Sequence, residues 1–145
     1  MARYLISSDP KEFDFEVIYQ FVSQSYWARG IPRDTLSKAL DNSLCFAVLK
    51  QGDSEAHELV GFARVITDKA TFAYLGDVFV TPTEQGKGLS KMLMQAVSEH
   101  KDLQGLRRFM LATRDAHGLY QQFGFTAVTN PEILMQIHDP DIYSR

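Results

Sequence analysis

Six consecutive residues, Gln85-Gly86-Lys87-Gly88-Leu89-Ser90, set two glycines and a lysine between a strand-like run and a helix-like one. The run before them, Tyr74-Leu75-Gly76-Asp77-Val78-Phe79-Val80, is rich in β-branched and aromatic residues and reads as a strand. After them Leu89, Leu93, Ala96 and Val97 recur at helical spacing, so a helix is predicted from about Gly88. The first N–H groups of a helix lack acceptors within it, and glycine lets a ligand approach the main chain closely. With the positive end of the helix dipole, that arrangement suits a phosphate or diphosphate. A plain turn that uses glycine only to bend is the alternative the six residues leave open. A nucleotide P-loop is excluded, because it needs Ser or Thr directly after Gly-Lys and Gly88 stands there. Asp77 is the second feature with chemical potential. A carboxylate on a central strand is costly unless it is paired or put to use. Strict alternation places it on the face of Leu75 and Phe79, opposite Val78 and Val80. Arg64, on the neighbouring predicted strand, is the candidate partner for a purely structural role.

The elements that must position these residues follow from periodicity. Arg3 to Ser7 reads as a strand, followed by the turn Ser8-Asp9-Pro10. Val17, Ile18, Phe21 and Val22 follow a helical period from Phe13, ending near Gly30. Pro32 opens a second short helix with Leu36, Ala39 and Leu40. Leu44–Leu49 and Leu59–Thr67 form a hairpin around the polar residues 51–56, with Gly61 marking a bulge. After the helix that ends near Lys101, the Gln104-Gly105 turn leads into the strand Arg108–Ala112. A short helix holding Ala116, Leu119, Tyr120 and Phe123 follows, with Asp115 as its N-cap and Gly124 as its stop. Phe125–Val128 and Ile133–Ile137 are read as closing strands. Helices, antiparallel hairpins and one strand–helix–strand crossover together indicate an α+β chain with one parallel pair beside the glycine turn.

Bulk properties narrow the classes. The chain has 145 residues, 45% of them hydrophobic and 12% aromatic, enough for one domain (1–145) with a real core. Its formal net charge of −3 offers no general attraction to nucleic acid or anionic lipid. The single cysteine, Cys45, lies in the apolar run 44–49 and reads as a small buried hydrophobe, and no Cys/His spacing suggests a metal. No apolar run reaches membrane-spanning length and no secretory leader pattern opens the chain. The expectation is a protein of the reducing cytoplasm with no membrane, nucleic-acid or metal partner.

Two motifs together carry a resemblance. Gln85-Gly86-Lys87-Gly88-Leu89-Ser90 follows Val78-Phe79-Val80-Thr81-Pro82. Downstream stands Ala116-His117-Gly118-Leu119-Tyr120-Gln121-Gln122-Phe123-Gly124-Phe125. In this order and spacing the sequence resembles the GNAT-type N-acetyltransferases, firmly from Val78 to Phe125 and plausibly back to Leu44. There are two departures from the pattern: Ser90 replaces the usual final Gly or Ala, and Thr113 stands where many members carry Asn.

The resemblance implies a GNAT fold, a mixed, mostly antiparallel sheet of about six or seven strands with a splayed parallel pair, flanked by about four helices. It implies acetyl transfer from acetyl-CoA, as co-substrate, to a primary amine by direct attack, and no metal. Val78, Phe79 and Val80 would pair through their backbone with the pantetheine arm. Gln85, Gly86, Lys87, Gly88, Leu89 and Ser90 would hold the diphosphate, with Thr113 a further cofactor contact or else a helix cap. Tyr120 matches the general acid that protonates the leaving thiolate. A phenol with a reference pKa of about 10 can protonate a thiolate whose acid lies at about 8.5. Asp77 is the candidate base. Tyr26, Trp27 and Arg29 fall where the family builds its acceptor pocket, able to stack on a cation or clamp a carboxylate. His117 reads as helix surface. A small-molecule amine is the favoured acceptor, and a homodimer is compatible with the family. A protein amine or tRNA as acceptor, and a catalytically silent acyl-CoA sensor, stay open at this point.

Overall fold

The computed structural model describes residues 3–53 and 56–145; the expected hairpin connection at 51–56 therefore lies partly outside the described residues. Five strands form one sheet in the order β1-β2-β3-β4-β5. They are β1 Arg3–Ser7, β2 Leu44–Gln51, β3 His57–Thr67, β4 Phe72–Val80 and β5 Arg108–Leu111. The first four pair antiparallel with their sequence neighbours, whereas β5 runs parallel to β4. A parallel neighbour cannot be reached by a tight turn. The crossover is supplied by α3, Leu89–Glu99.

Alternation along the strands sends apolar side chains to both faces, and each face is covered. On one side Leu93, Met94 and Val97 of α3 pack against Phe46, Val48, Ala63, Val65 and Leu75. On the other, Ile18 and Val22 of α1 (Phe15–Val22) and Leu36 of α2 (Arg33–Asp41) pack against Ala47, Leu49, Phe62 and Phe79. Burying a side chain of this size stabilises the fold by about 1.5–3 kcal/mol. The chain therefore forms the expected α+β sandwich of helices around a mixed sheet.

Helix α1 stops at Val22, short of the expected end near Gly30. Ser25 is the reason: its hydroxyl donates to Val22 O and accepts from Ala28 N, diverting the backbone from helix. Gly30, at φ +81°, then closes the loop by donating its N–H to Ser23 O at 2.9 Å. Pro32 stands one position earlier than expected, as the N-cap of α2.

The expected strands Phe125–Val128 and Ile133–Ile137 do not form, so among the described residues the sheet has five strands rather than six or seven. Pro131, which has no N–H to offer a ladder, begins a 3-10 turn over Pro131–Ile133. Beyond it the apolar residues that read as a strand meet no partner: Met135 is 96% exposed, and Ile133, Leu134 and Ile137 are exposed as well.

Two irregularities interrupt the ladders. Between β2 and β3 the register slips by one residue, because Val48 faces Gly61 while Leu49 faces Leu59. A Cβ on Gly61 would lie 2.9 Å from Val48 Cγ2, so glycine is needed for the close approach. Between β3 and β4 the slip falls at Asp77, whose φ of +52° is in the left-handed region. This bulge breaks strict alternation. Asp77 shares its face with Phe79 but not with Leu75, which lies on the α3 side with Val78 and Val80.

Gly61→Ala is expected to lower unfolding free energy by about 1–3 kcal/mol through overpacking, measured by denaturant titration. The same substitution made in a Val48→Ala background should cost clearly less, since the atom it would strike is gone.

Candidate active site

The ladder between β4 and β5 covers Phe72 to Leu75 on one strand and Arg108 to Leu111 on the other, then ends. From Gly76 onward β4 keeps β3 on one side and has no strand on the other. A strand edge left in this way offers unpaired N–H and C=O groups to an extended ligand. Val78 lines a cleft of about 320 Å³ at the opening, together with Asp77, Tyr26, Trp27, Thr113 and Tyr120. Val80, at the far end of the same segment, lines a second hollow of about 240 Å³ with Gln85, Gly86, Gly88, Leu89 and Ser90. The end of β4 thus runs from one to the other.

The second hollow is the start of α3. Its N-cap is Gly88 at φ +80°, with no side-chain cap bond and no acidic residue in the first turn. The N–H groups there have no cap within the first turn, and the one carboxylate bordering the hollow, Glu84, is taken up by lysines. Gly86 also sits at φ +80°, and a Cβ on either glycine would have nothing within 4 Å. Glycine is therefore required here for backbone conformation and open approach, not for packing. Ser90 leaves the hollow open, as a small residue should. Gln85 turns its amide back, donating Nε2–H to Val80 O at 3.1 Å, which ties the turn to the strand end. These residues fit a diphosphate, and the free edge of Val78–Val80 fits an amide-bearing arm.

Tyr120 comes from α4, His117–Gln121, and is only 8% exposed, packed edge-on against Phe125. Burial pushes its phenol above the usual tyrosine value, with Tyr26 and Asp115 adding to the rise. Such a group stays protonated at neutral pH, as a proton donor must. The N-cap of α4 is Ala116, with no side-chain cap bond, so Asp115 does not take the role expected of it; Thr113 Oγ1 accepts from Ala116 N at 3.0 Å, just ahead of the helix. Thr113 nevertheless lines the cleft, as does the exposed Asp115.

Asp77 is 6% exposed and doubly engaged. Trp27 Nε1–H donates to its Oδ1 at 2.7 Å and Arg64 Nε–H to its Oδ2 at 2.7 Å. Arg64 in turn donates to Ser43 Oγ at 3.2 Å. The carboxylate thus bridges the loop after α1 to the neighbouring strand, and two strong bonds offset the cost of its burial. Tyr26 stands edge-on to Trp27, and the Arg114 guanidinium lies 3.7 Å from the Tyr26 ring centre.

The sequence-predicted residues divide accordingly. Tyr26, Trp27, Asp77, Val78, Thr113 and Tyr120 converge on the cleft, and Val80, Gln85, Gly86, Gly88, Leu89 and Ser90 on the helix start, whereas Lys87 does not line that hollow and its ammonium donates to Glu84. Phe79 lines neither hollow: it is paired with Phe62 of β3, and its ring stacks on Phe21 at 4.3 Å in the core. Arg29 is exposed and does not line the cleft. His117 is exposed as expected, and Cys45 is buried, its thiol pushed up to about 12 chiefly by that burial.

Sequence reasoning missed Arg114, which an alternation of charged and small residues at 113–116 does not single out. It also missed Glu84. This residue is 3% exposed, yet its carboxylate is held down to about 2 by Tyr4 first, then Lys50 and Lys87. Tyr4 and Lys50 are far away in sequence, and only the β1–β2 pairing brings them there.

The acetyltransferase (GNAT) family model matches residues 13–125. FG08082 of Gibberella zeae, which goes under the name of an acetyltransferase, is 36% identical over 135 residues, covering 81% of this chain and 75% of that one. An uncharacterised, ycf52-like N-acetyltransferase of Prochlorococcus marinus is 34% identical over 122 residues, covering 83% of this chain and 67% of its own. Among solved structures, a GNAT-family protein of Xanthomonas campestris pv. campestris (xcc2953) superposes with a TM-score of 0.90 at 49% identity, over 99% of this chain and 98% of that one. With the splayed strands and the bare helix start already in place, these likenesses make the chain a member of the GNAT family of acetyltransferases.

Proposed function

We propose that the protein transfers the acetyl group of acetyl-CoA to a primary amine of a small molecule, both substrates being bound together. The observation that supports this most is the edge of β4 left without a neighbouring strand, which runs from the cleft holding Tyr120 to the uncapped start of α3. Acetyl-CoA supplies the thioester, whose C–S bond breaks as the acceptor nitrogen forms the new C–N bond. The residues of this chain do the rest. The N–H groups around Gly86–Ser90 neutralise the diphosphate, and the main chain of Val78–Val80 pairs with the amide-bearing arm. Tyr120 gives its hydroxyl proton to the leaving sulfur, and the proton that the acylated nitrogen releases passes to solvent, from which the phenol is restored.

The acceptor enters from the side of Tyr26, Trp27 and Asp115. It must arrive neutral, which at pH 7 costs about 4–5 kcal/mol for a lysine-like amine and only about 1 for an amine near pKa 8. Both oxygens of Asp77 already accept N–H donors, so its part is to position Trp27 and Arg64, shaping the acceptor side of the cleft. A site without a free buried base favours the less basic amines.

The direct test is incubation with acetyl-CoA and a panel of small amines, following thiol release. Turnover on at least one amine is expected. Tight CoA binding without turnover on any of them would leave a silent binder, and the absence of CoA binding would remove the reading altogether. Tyr120→Phe should lower kcat by about 10²-fold, with acetyl-CoA affinity nearly unchanged. Gly88→Val should abolish acetyl-CoA stabilisation in a thermal melt while unfolding stays cooperative, because a β-branched residue is strained at φ +80° and its atoms obstruct the ligand, whereas its Cβ meets no protein neighbour. Asp77→Asn leaves one of two N–H donors facing an amide NH₂. It should raise the acceptor KM about 10-fold, as a lost charge-assisted bond would. The acidic limb of the pH–rate profile should stay in place; its loss would make Asp77 the base.

A further inference from the structure

The turn that precedes α3 has little packing of its own. Gly86 and Gly88 have open space where side chains would be, and Lys87 between them is half exposed. What fixes it lies one residue upstream. Glu84 ends the 3-10 turn Pro82–Glu84 and is buried with its charge. Its Oε1 accepts from Tyr4 Oη at 2.5 Å and from Lys87 Nζ at 3.2 Å, and its Oε2 accepts from Lys50 Nζ at 2.9 Å. Lys87 Nζ also reaches Tyr4 Oη at 3.5 Å. Tyr4 and Lys50 are direct partners in the β1–β2 ladder, so they form a rigid base.

This cluster holds two ammonium groups and one carboxylate, leaving one positive charge in excess. The carboxylate is enclosed, but both ammonium groups keep contact with solvent. Lys87 belongs to the very turn whose N–H groups face outward. An unrestrained lysine between two glycines samples many conformations, and ordering it on binding costs side-chain entropy. A carboxylate that already holds the ammonium removes much of that cost before the ligand arrives.

We propose that Glu84 is a positioning residue for the diphosphate of the acyl donor, tying Lys87 and the Gly86–Gly88 turn to the Tyr4–Lys50 pair of the sheet. The inference rests on the reading of that turn as the diphosphate site. Glu84 borders the hollow, but its carboxylate oxygens are taken up by Tyr4, Lys50 and Lys87. It acts through Lys87 and through the shape of the turn.

The test compares two donors in the full-length enzyme: acetyl-CoA, and S-acetylpantetheine, which lacks the diphosphate. The readout is the ratio of their kcat/KM values, with thermal midpoints measured in parallel. Glu84→Gln keeps the shape and removes the charge. It should raise the KM for acetyl-CoA, leave kcat for that donor largely intact, and lower the donor ratio about 10-fold. Tyr4→Phe removes a single bond to the same carboxylate and should lower the ratio about 3-fold, in line with one lost hydrogen bond. Equal losses on both donors would mean that Glu84 only supports the fold, and would overturn the proposal. An unchanged ratio in both variants, beside a parent enzyme that prefers acetyl-CoA, would overturn it too and leave the diphosphate turn standing. Should Glu84→Gln fail to fold, Tyr4→Phe decides by the same ratio. A parent enzyme that uses both donors equally would overturn the turn assignment and this proposal with it.

Discussion

The site exists because two parallel strands stop sharing hydrogen bonds after Leu75 and Leu111. Up to that point β4 is an interior strand with both edges satisfied. Past it, one edge is open, and backbone groups that a closed sheet would consume become a binding surface. The bulge at Asp77 coincides with this change. It places a non-glycine residue in the left-handed region, a conformation that needs support from its surroundings. That support is visible in the bonds from Trp27 and Arg64, which hold the Asp77 carboxylate from two different elements. The strained residue, the opened edge and the aromatic wall of the cleft are therefore one construction.

Charge is distributed to the same end. The start of α3 is left without a side-chain cap or an acidic first turn, so its field is not cancelled within the protein. The nearby acidic residue, Glu84, is withdrawn from the surface and neutralised by lysines and a phenol. A chain of net charge −3 thus carries a locally positive cluster beside the start of α3. In the cleft the balance differs. Asp77 and Arg64 cancel one another, Arg114 lies on Tyr26, and Asp115 remains exposed.

Much of this was legible in the sequence, for reasons that can be named. Glycines at 86 and 88 are local signals, because only backbone geometry explains them. The period of Leu89, Leu93 and Val97 required nothing from the rest of the chain. Tyr120 was placed by a motif whose spacing spans one short helix. The misses are non-local. Alternation put Asp77 on the face of Leu75 because a bulge is set by what the neighbouring strand does, and β4 alone does not reveal it. Residues 125–128 and 133–137 have strand composition, but a strand also needs a partner, and Pro131 breaks the approach to one. Glu84 was passed over because its partners at positions 4 and 50 become neighbours only once the first hairpin is built.

The shortest strand is also the least secured. β5 contributes four residues and is bonded along one side only, whereas β2 and β3 are each gripped by two neighbours. Fraying there requires fewer bonds to break than opening anywhere deeper in the sheet. The proposed proton donor is carried on the segment that follows this border strand. Heat or mild denaturant is thus expected to loosen that margin while the antiparallel part still holds, so chemical competence is lost ahead of the global melt.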